Sequence, residues 1–313
     1  MQLPLQITDH VTLLGSELFN LYLVRGETNA IIEGGVSAVA FDFLNHLNQL
    51  NVPPESISYL INLHSHFDHM MVFPLLKERY PWMKIASSVL NRKTFSNERI
   101  IGKIYDSDRN MTLALMEKGL ISEAPTLPPL SSFPLDISLE EGSILDLGKG
   151  ARIRFIEAPG HSPDCLCAYL ENEETLFCTD AAGFYTPPDF FRPNYWYHLG
   201  EAEKSLDKMK AIDPRTLCRG HYGAISGREE VRRHLKMGKQ CIEDFKSFAL
   251  GRIQEGWPMD KITEEVTERF SKGFLQFFSP EDNQRLWRLL VQRTLEHLNI
   301  GSNSFLRSSP ERG

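Results

Sequence analysis

Nowhere in these 313 residues does an apolar stretch reach the roughly 18 to 20 residues needed to cross a bilayer. Basic charge is also scarce: 34 Lys and Arg stand against 41 Asp and Glu, a formal net charge of −7. That balance argues against an electrostatic nucleic-acid surface, which would need clustered Lys and Arg. Cysteine is sparse. Cys165, Cys167, Cys178, Cys218 and Cys241 are an odd number scattered through strand-like or helical segments, so they read as buried thiols rather than a disulfide framework. Met1-Gln2-Leu3-Pro4-Leu5 lacks the basic and apolar regions of a secretion signal, and a cytoplasmic location is the expectation. Internal repeats and low-complexity segments are not evident before the tail. What remains, 42% hydrophobic and 24% charged, is ordinary globular composition, and the length can bury a sizeable core plus an accessory module.

Against that background Leu63-His64-Ser65-His66-Phe67-Asp68-His69 is anomalous. Three imidazoles and a carboxylate directly follow the apolar run Tyr59-Leu60-Ile61-Asn62-Leu63. Core packing gives no reason to gather titratable side chains where a strand ends. Neutral imidazole nitrogens and an ionised carboxylate are the donors that suit zinc, iron or manganese. Alternation along an extended segment puts His64 and His66 on one side. Asp68 and His69 follow on the turn into the next helix, close enough to serve a second metal. A lone histidine is more often a surface or satisfied core side chain, but the whole string is not explained that way.

Four residues this close cannot close two coordination shells, so more ligands are expected downstream. Three strand-like runs end on candidates. Ile153 to Ala158 leads into Pro159-Gly160-His161-Ser162-Pro163, Thr175 to Thr179 leads into Asp180, and Thr216 to Gly220 leads into His221.

In this order the motifs resemble the metallo-β-lactamase superfamily, over roughly residues 8 to 227. The resemblance implies an α/β fold, the αββα sandwich, with the metal-bearing loops along one edge. It implies two divalent metal ions per chain, zinc first with iron or manganese as alternatives. His64, His66 and His161 would hold one, Asp68, His69 and His221 the other, and Asp180 would bridge them. Oxygen-reducing diiron members look different at the second position, with Glu in place of His66, so a hydrolase is favoured. Three departures stand out. Met71-Val72 replaces the Gly pair that follows the first motif in many thioester-hydrolysing relatives. Thr179 replaces the Gly usual before the bridging Asp, and Asp164 a Gly common after His161-Ser162-Pro163. None removes a ligand.

Along the chain, Val11 to Leu14, Phe19 to Val24 and Ala30 to Ile32 read as a β-meander. Ser37 to Asn51 reads as a helix and Ile57 to Leu63 as the buried strand that delivers the metal motif. Residues 91–119 are helical and charged, and a helical insertion over about 91–135 either overhangs the site or forms a plain surface subdomain. Strands near 137–146, 151–158 and 165–179 rebuild a second sheet before a helix around Glu201 to Ile212. After Gly227 only helical periodicity remains. The expected organisation is therefore a dimetal domain over 1–227, a helical lid subdomain over 228–300 and a disordered tail over 301–313.

Two metals a few ångströms apart would share a hydroxide, the natural nucleophile for hydrolysis. Asp68 is placed to orient it, and Tyr222, beside the last ligand, either donates a hydrogen bond to the intermediate or simply packs. Aromatic residues are dense after Asp180 and again at 274–278. Phe184, Tyr185, Phe191, Tyr195, Tyr197, Phe274, Phe277 and Phe278 are the expected substrate pocket. The domain order is similar to that of glyoxalase II-like enzymes and of the aroyl-acetyl-CoA thioesterases of the alkylquinolone pathway. Glu33-Gly34-Gly35, Leu176-Phe177-Cys178-Thr179-Asp180-Ala181 and the C-terminal helices carry that similarity. It favours hydrolysis of a thioester with an apolar or aromatic acyl group, with acyl-CoA among the candidate substrates. A lactonase or phosphodiesterase would use the same metals, and a metal-retaining protein acting through partner contacts is the other class. The expected partners are a small-molecule substrate and, optionally, a second copy in a homodimer, with no nucleic acid and no membrane.

Overall fold

A computed structural model describes residues 2–300, so the expected tail at 301–313 lies outside the described residues. The first half builds a seven-stranded sheet in sequential order. Its strands are β1 (Leu5–Gln6), β2 (Val11–Gly15), β3 (Asn20–Val24), β4 (Asn29–Ile32), β5 (Ile57–Ile61), β6 (Lys84–Ser88) and β7 (Ile137–Leu139). Tight turns join β1 to β4 as antiparallel neighbours, whereas β4 to β7 run parallel. Parallel pairing needs crossovers, supplied by α1 (Ala40–Gln49), α2 (Val72–Arg79), α3 (Asn91–Phe95) and α4 (Glu98–Glu117). Every residue of β2 and β3 is buried, which is why these strands read as continuous apolar runs.

The second sheet has the order β15-β14-β11-β10-β9-β8. It contains β8 (Ile144–Asp146), β9 (Arg152–Glu157), β10 (Leu166–Leu170), β11 (Thr175–Thr179), β14 (Thr216–Arg219) and β15 (Ala224–Ser226). A separate hairpin pairs β12 (Phe184–Thr186) with β13 (Phe190–Arg192). Two expectations need correction. Residues 137–146 are not one strand of the second sheet: β7 closes the first sheet, and the chain crosses at Gly142, φ +79°, before β8 joins the second. Residues 165–179 are two strands, because Glu171–Glu173 form a 3-10 turn that folds β10 back on β11.

The sheets pack face to face through Leu13, Tyr22 and Val24 on one side and Phe155, Leu166 and Phe177 on the other. Tyr22 donates from its hydroxyl to the Arg219 carbonyl at 2.7 Å, tying the layers beside the last expected ligand. Helices α1, α2 and α4 cover the first sheet. Helices α5 (Leu199–Ile212), α6 (Arg228–Gln254), α7 (Met259–Phe270) and α8 (Pro280–His297) cover the second. This is a mixed α/β fold with a C-terminal helical region. No described helix is long and apolar enough to cross a membrane. Cys165, Cys167, Cys178 and Cys218 are buried free thiols, and Cys241 is half-buried.

Candidate metal centre

The loops that leave β5, β9, β11 and β14 at their C-terminal ends converge on one edge of the sandwich. Strand β5 stops at Ile61, and Asn62 to Ser65 carry the chain to a 3-10 turn at Phe67–His69. His66 is half-buried; His64, Asp68, His69, His161, Asp180 and His221 are buried. Two groups of donors form: His64, His66 and His161, and Asp68, His69 and His221, each with ligand atoms within 4.8 Å of one another. Asp180 lies between them. Its Oδ2 is 3.5 Å from His161 Nε2, and its Oδ1 is 3.5 Å from His221 Nε2 and 3.8 Å from His69 Nε2.

The fit to cations can be tested on the side chains themselves. Nε2 of His64, His69 and His221 is buried without a hydrogen-bond partner. A buried ring nitrogen left unpaired is costly, whereas a lone pair aimed at a cation is satisfied. The opposite ring nitrogens are all engaged. Nδ1 of His161 donates to the Asn194 carbonyl at 2.8 Å, and Nδ1 of His221 to the Leu18 carbonyl. Nδ1 of His69 faces the Glu33 carboxylate, and Nδ1 of His64 is 3.0 Å from the Thr179 hydroxyl. Such second contacts fix tautomer and ring direction, as metal-binding imidazoles require. His66 differs in pointing Nδ1 inward, 2.8 Å from His161 Nε2. Glu33 also stands within ligand range of His64 and His69, but its carboxylate is occupied by His69 Nδ1 and by the Thr179 hydroxyl at 2.9 Å, so it orients rather than ligates. The donor set therefore fits two divalent cations.

Electrostatics agree. Burial, then the neighbouring imidazoles, drive the His64 pKa well down, and burial takes His161 to about 3 despite Asp180. Burial also lowers His221. These rings are neutral and available as donors. Burial would lower His69 too, but the Glu33, Asp68 and Asp180 carboxylates raise it to about 10, so without a cation this ring is protonated and a cation at Nε2 would displace that proton. Asp180 is held below the usual carboxylate range by the surrounding histidines, against its own burial.

The backbone around the donors is specialised. A Cβ on Gly220 would lie 2.6 Å from His69 Cε1, so only glycine lets β14 deliver His221 past that ring. Thr179 sits at φ +44°, where glycine would be unstrained. The β-branched side chain is accommodated because its hydroxyl links Glu33 to His64. Asp164 accepts from the Ser65 amide at 2.7 Å and from the Ser162 hydroxyl, bracing the loop between His64 and His66.

Beside the donors lies a cavity of about 810 Å³ floored by His66, Asp68, His161 and Asp180. Phe67, Phe184, Phe274, Phe277 and Phe278 form apolar walls, and Met111, Ala114 and Lys118 from α4 and its end overhang it. Of the expected pocket residues, Phe184, Phe274, Phe277 and Phe278 are in place. Tyr185, Phe191, Tyr195 and Tyr197 are not. In the β12–β13 hairpin Phe184 pairs with Arg192, and Tyr185 with Phe191 on the opposite face. Tyr185 and Phe191 therefore pack on His234. Tyr195 is fully buried against Thr294 and Phe245, and Tyr197 is exposed. Tyr222 also misses the cavity lining, its ring lying edge-on to Phe184 at 6.2 Å between centroids.

Sequence reasoning overlooked Arg192 and Asn194, which line the cavity beside Asp180 and His161. Asn194 places Nδ2 3.3 Å from Asp180 Oδ2 while its carbonyl holds His161. A lone Arg and Asn within an aromatic stretch carried no pattern by which to find them.

A sequence model described as Metallo-beta-lactamase superfamily matches residues 20–221. The anaerobic nitric oxide reductase flavorubredoxin of Vibrio vulnificus is 25% identical over 166 residues, 53% of this chain and 27% of that protein. The chain spans about a third of the length, or less, of the first curated relatives it matches. A metallo-beta-lactamase family protein of Thermus thermophilus superposes with TM-score 0.64 at 18% identity, covering 94% of each chain. An inverting sec-alkylsulfatase of Pseudomonas sp. superposes with TM-score 0.63 at 14% identity, covering 97% of this chain and 52% of that one.

Proposed function

Because the chain belongs to the metallo-beta-lactamase superfamily, we propose that it is a dinuclear metal-dependent hydrolase of a small molecule with a sizeable apolar part. The observation that supports this reading is the convergence of two buried donor groups, with Asp180 between them, on the floor of an aromatic cavity. In this reading His64, His66 and His161 hold one cation, Asp68, His69 and His221 the other, and Asp180 both. When bound, such a pair supplies Lewis acidity at the scissile group and lowers the pKa of a water to near neutrality. His66 at the second position favours hydrolysis over the oxygen chemistry of diiron relatives.

The chain's own residues do the rest. Asp68 turns Oδ2 toward His69 and His221, leaving Oδ1 to orient the attacking water and hold its proton. Phe67, Phe184 and Phe278 exclude bulk water and bind the apolar part of the substrate. Among the possible ester types we favour a thioester with an apolar or aromatic acyl group. A thiolate is stable enough to leave without prior protonation, and no tyrosine among the described residues lines the cavity to serve a poorer leaving group.

The test is a turnover panel with metal-loaded protein: an aromatic acyl-CoA, a glutathione thioester, a lactone, an aryl phosphodiester and, given the alkylsulfatase neighbour, an alkyl sulfate. The expected result is the highest kcat/KM on a thioester. A higher kcat/KM on another ester would overturn the thioester, and no turnover of any would overturn the hydrolase.

A further inference from the structure

Arg192 is a charged side chain left without a counter-ion. It is 2% exposed, yet no carboxylate lies within 4 Å of its guanidinium among the described residues. Its one hydrogen bond to a described residue is a long one, Nη1 to Asn194 Oδ1 at 3.3 Å. Asn194 Oδ1 already accepts from Trp196 Nε1 at 2.9 Å, so this acceptor is shared. Nε is buried with no partner. Nη2 likewise makes no hydrogen bond to a described residue and, unlike Nε, is not sealed off, so it is the guanidinium donor free to meet a ligand.

The guanidinium is held rather than loose. Its carbon sits 3.9 Å from the Phe184 ring centroid, with Trp196 and Trp287 at 5.9 and 6.0 Å. Stacking of this kind fixes a guanidinium plane and stabilises the charge, but it supplies no hydrogen-bond acceptor. Burial draws the Arg192 pKa down only to about 10, so the group stays charged at neutral pH. The carboxylates that favour its charge, Asp180 and then more weakly Asp68, are both expected to be committed to cations. A buried, rigid, unpaired cation costs stability unless a ligand completes it. Arg192 lines the cavity beside the donors.

We infer that Arg192 is the anion-recognition residue of this cavity and that the substrate carries a carboxylate or similar planar anionic group near its scissile bond. The proposal rests on the hydrolase reading above and narrows its substrate class. Asn194 links Arg192 to Asp180 through two hydrogen bonds, which places the anion a few bonds from the reacting group. The apolar remainder of the substrate then runs along Phe278 and Phe277 beneath α4. A neutral ester lacking the anion binds without completing Arg192.

Equilibrium binding separates this inference from the question of turnover. The probes are 4-phenylbutanoate and its neutral amide, followed through Trp196 fluorescence on the metal-loaded protein. The wild type is expected to bind the carboxylate about tenfold or more tightly than the amide, the range of a charge-assisted hydrogen bond. Arg192→Gln is expected to abolish that preference while leaving amide affinity unchanged. Equal affinities in the wild type overturn the proposal. So does a carboxylate preference that survives in Arg192→Gln, since the cations rather than Arg192 would then be its source. Should Arg192→Gln fail to fold, Arg192→Lys keeps the charge without the fork and is expected to weaken carboxylate binding several-fold, an unchanged preference again overturning the proposal. Absence of ester turnover alongside an Arg192-dependent preference would sink the hydrolase and leave the anion site standing.

Discussion

Thr179 accepts a hydrogen bond from His64 Nδ1 at 3.0 Å and donates its own to Glu33 Oε2 at 2.9 Å. One hydroxyl thus fixes the tautomer of His64, while the carboxylate it contacts also holds His69. The position has φ +44°, so two effects oppose each other on substitution. Thr179→Gly relieves backbone strain of about 1 kcal/mol or more and removes two hydrogen bonds worth about 1 kcal/mol each. The metal-free melting temperature should fall only modestly, whereas metal affinity should fall about 10–100-fold. Chelator competition and thermal melts on the same samples check both halves.

Metal content is the second prediction. Reconstituted wild-type protein should carry about two ions per chain, measured for zinc, iron and manganese together. His66→Ala should lose one ion and activity with it. Asp180→Ala should weaken both, because its two oxygens face opposite donor groups. A normal pair in Asp180→Ala would remove it from the ligand set.

Asp108 gives a pH prediction remote from the metals. Its carboxylate accepts from the Ser37 amide at 2.8 Å and from the Ser37 hydroxyl at 2.5 Å, fastening α4 to the turn before α1. Burial raises its pKa to about 6 even though those hydrogen bonds pull it down. The folded state therefore retains a proton that the unfolded state loses near pH 4. This contribution is fully present below pH 4, is lost as pH rises to 6, and is flat above, an amplitude of about 3 kcal/mol. Asp108→Asn keeps both contacts and should abolish that slope. Denaturation midpoints of the two proteins between pH 4 and 7 decide it.

The fourth prediction concerns the C-terminal region. Phe274 is 4% exposed and packs on His221 at 4.9 Å and Phe184 at 5.8 Å between ring centroids. Phe274→Ala should destabilise by about 3–5 kcal/mol and loosen substrate binding. Truncation after Gly227 should leave an unfolded or aggregating chain, because Val231, Phe245, Trp287 and Leu290 share one apolar cluster with Ile156, Leu176 and Leu217 of the second sheet. A soluble truncated protein with unchanged substrate preference would show that these helices neither complete the core nor shape the cavity.

The seven candidate donors stand out in the sequence because their chemistry is concentrated, imidazoles and carboxylates at strand ends having few other uses, and the fold brings them to one edge of the sandwich. The sandwich was legible because its buried strands are nearly all apolar. The pocket walls were harder. Aromatic residues from 184 to 197 lie close in sequence, but a two-residue period sends neighbours to opposite faces, so Phe184 meets the cavity and Tyr185 meets His234. Arg192 shares the face of Phe184 only through the register of the β12–β13 hairpin, a relationship invisible until the turn between them is known. The split of 137–146 between two sheets was hidden for the same reason: the crossing glycine looks like any turn residue.

Phe274 and Phe277 pack into the cluster of the first sheet and its helices, while Leu275 between them packs into that of the second. The overhang opposite them is α4. The floor of donors and the roof of the cavity thus come from different stretches of chain, the floor from three strand ends and the roof from 107–118 and 274–289. Mutational drift in the roof can retune which molecule is admitted without disturbing a single donor.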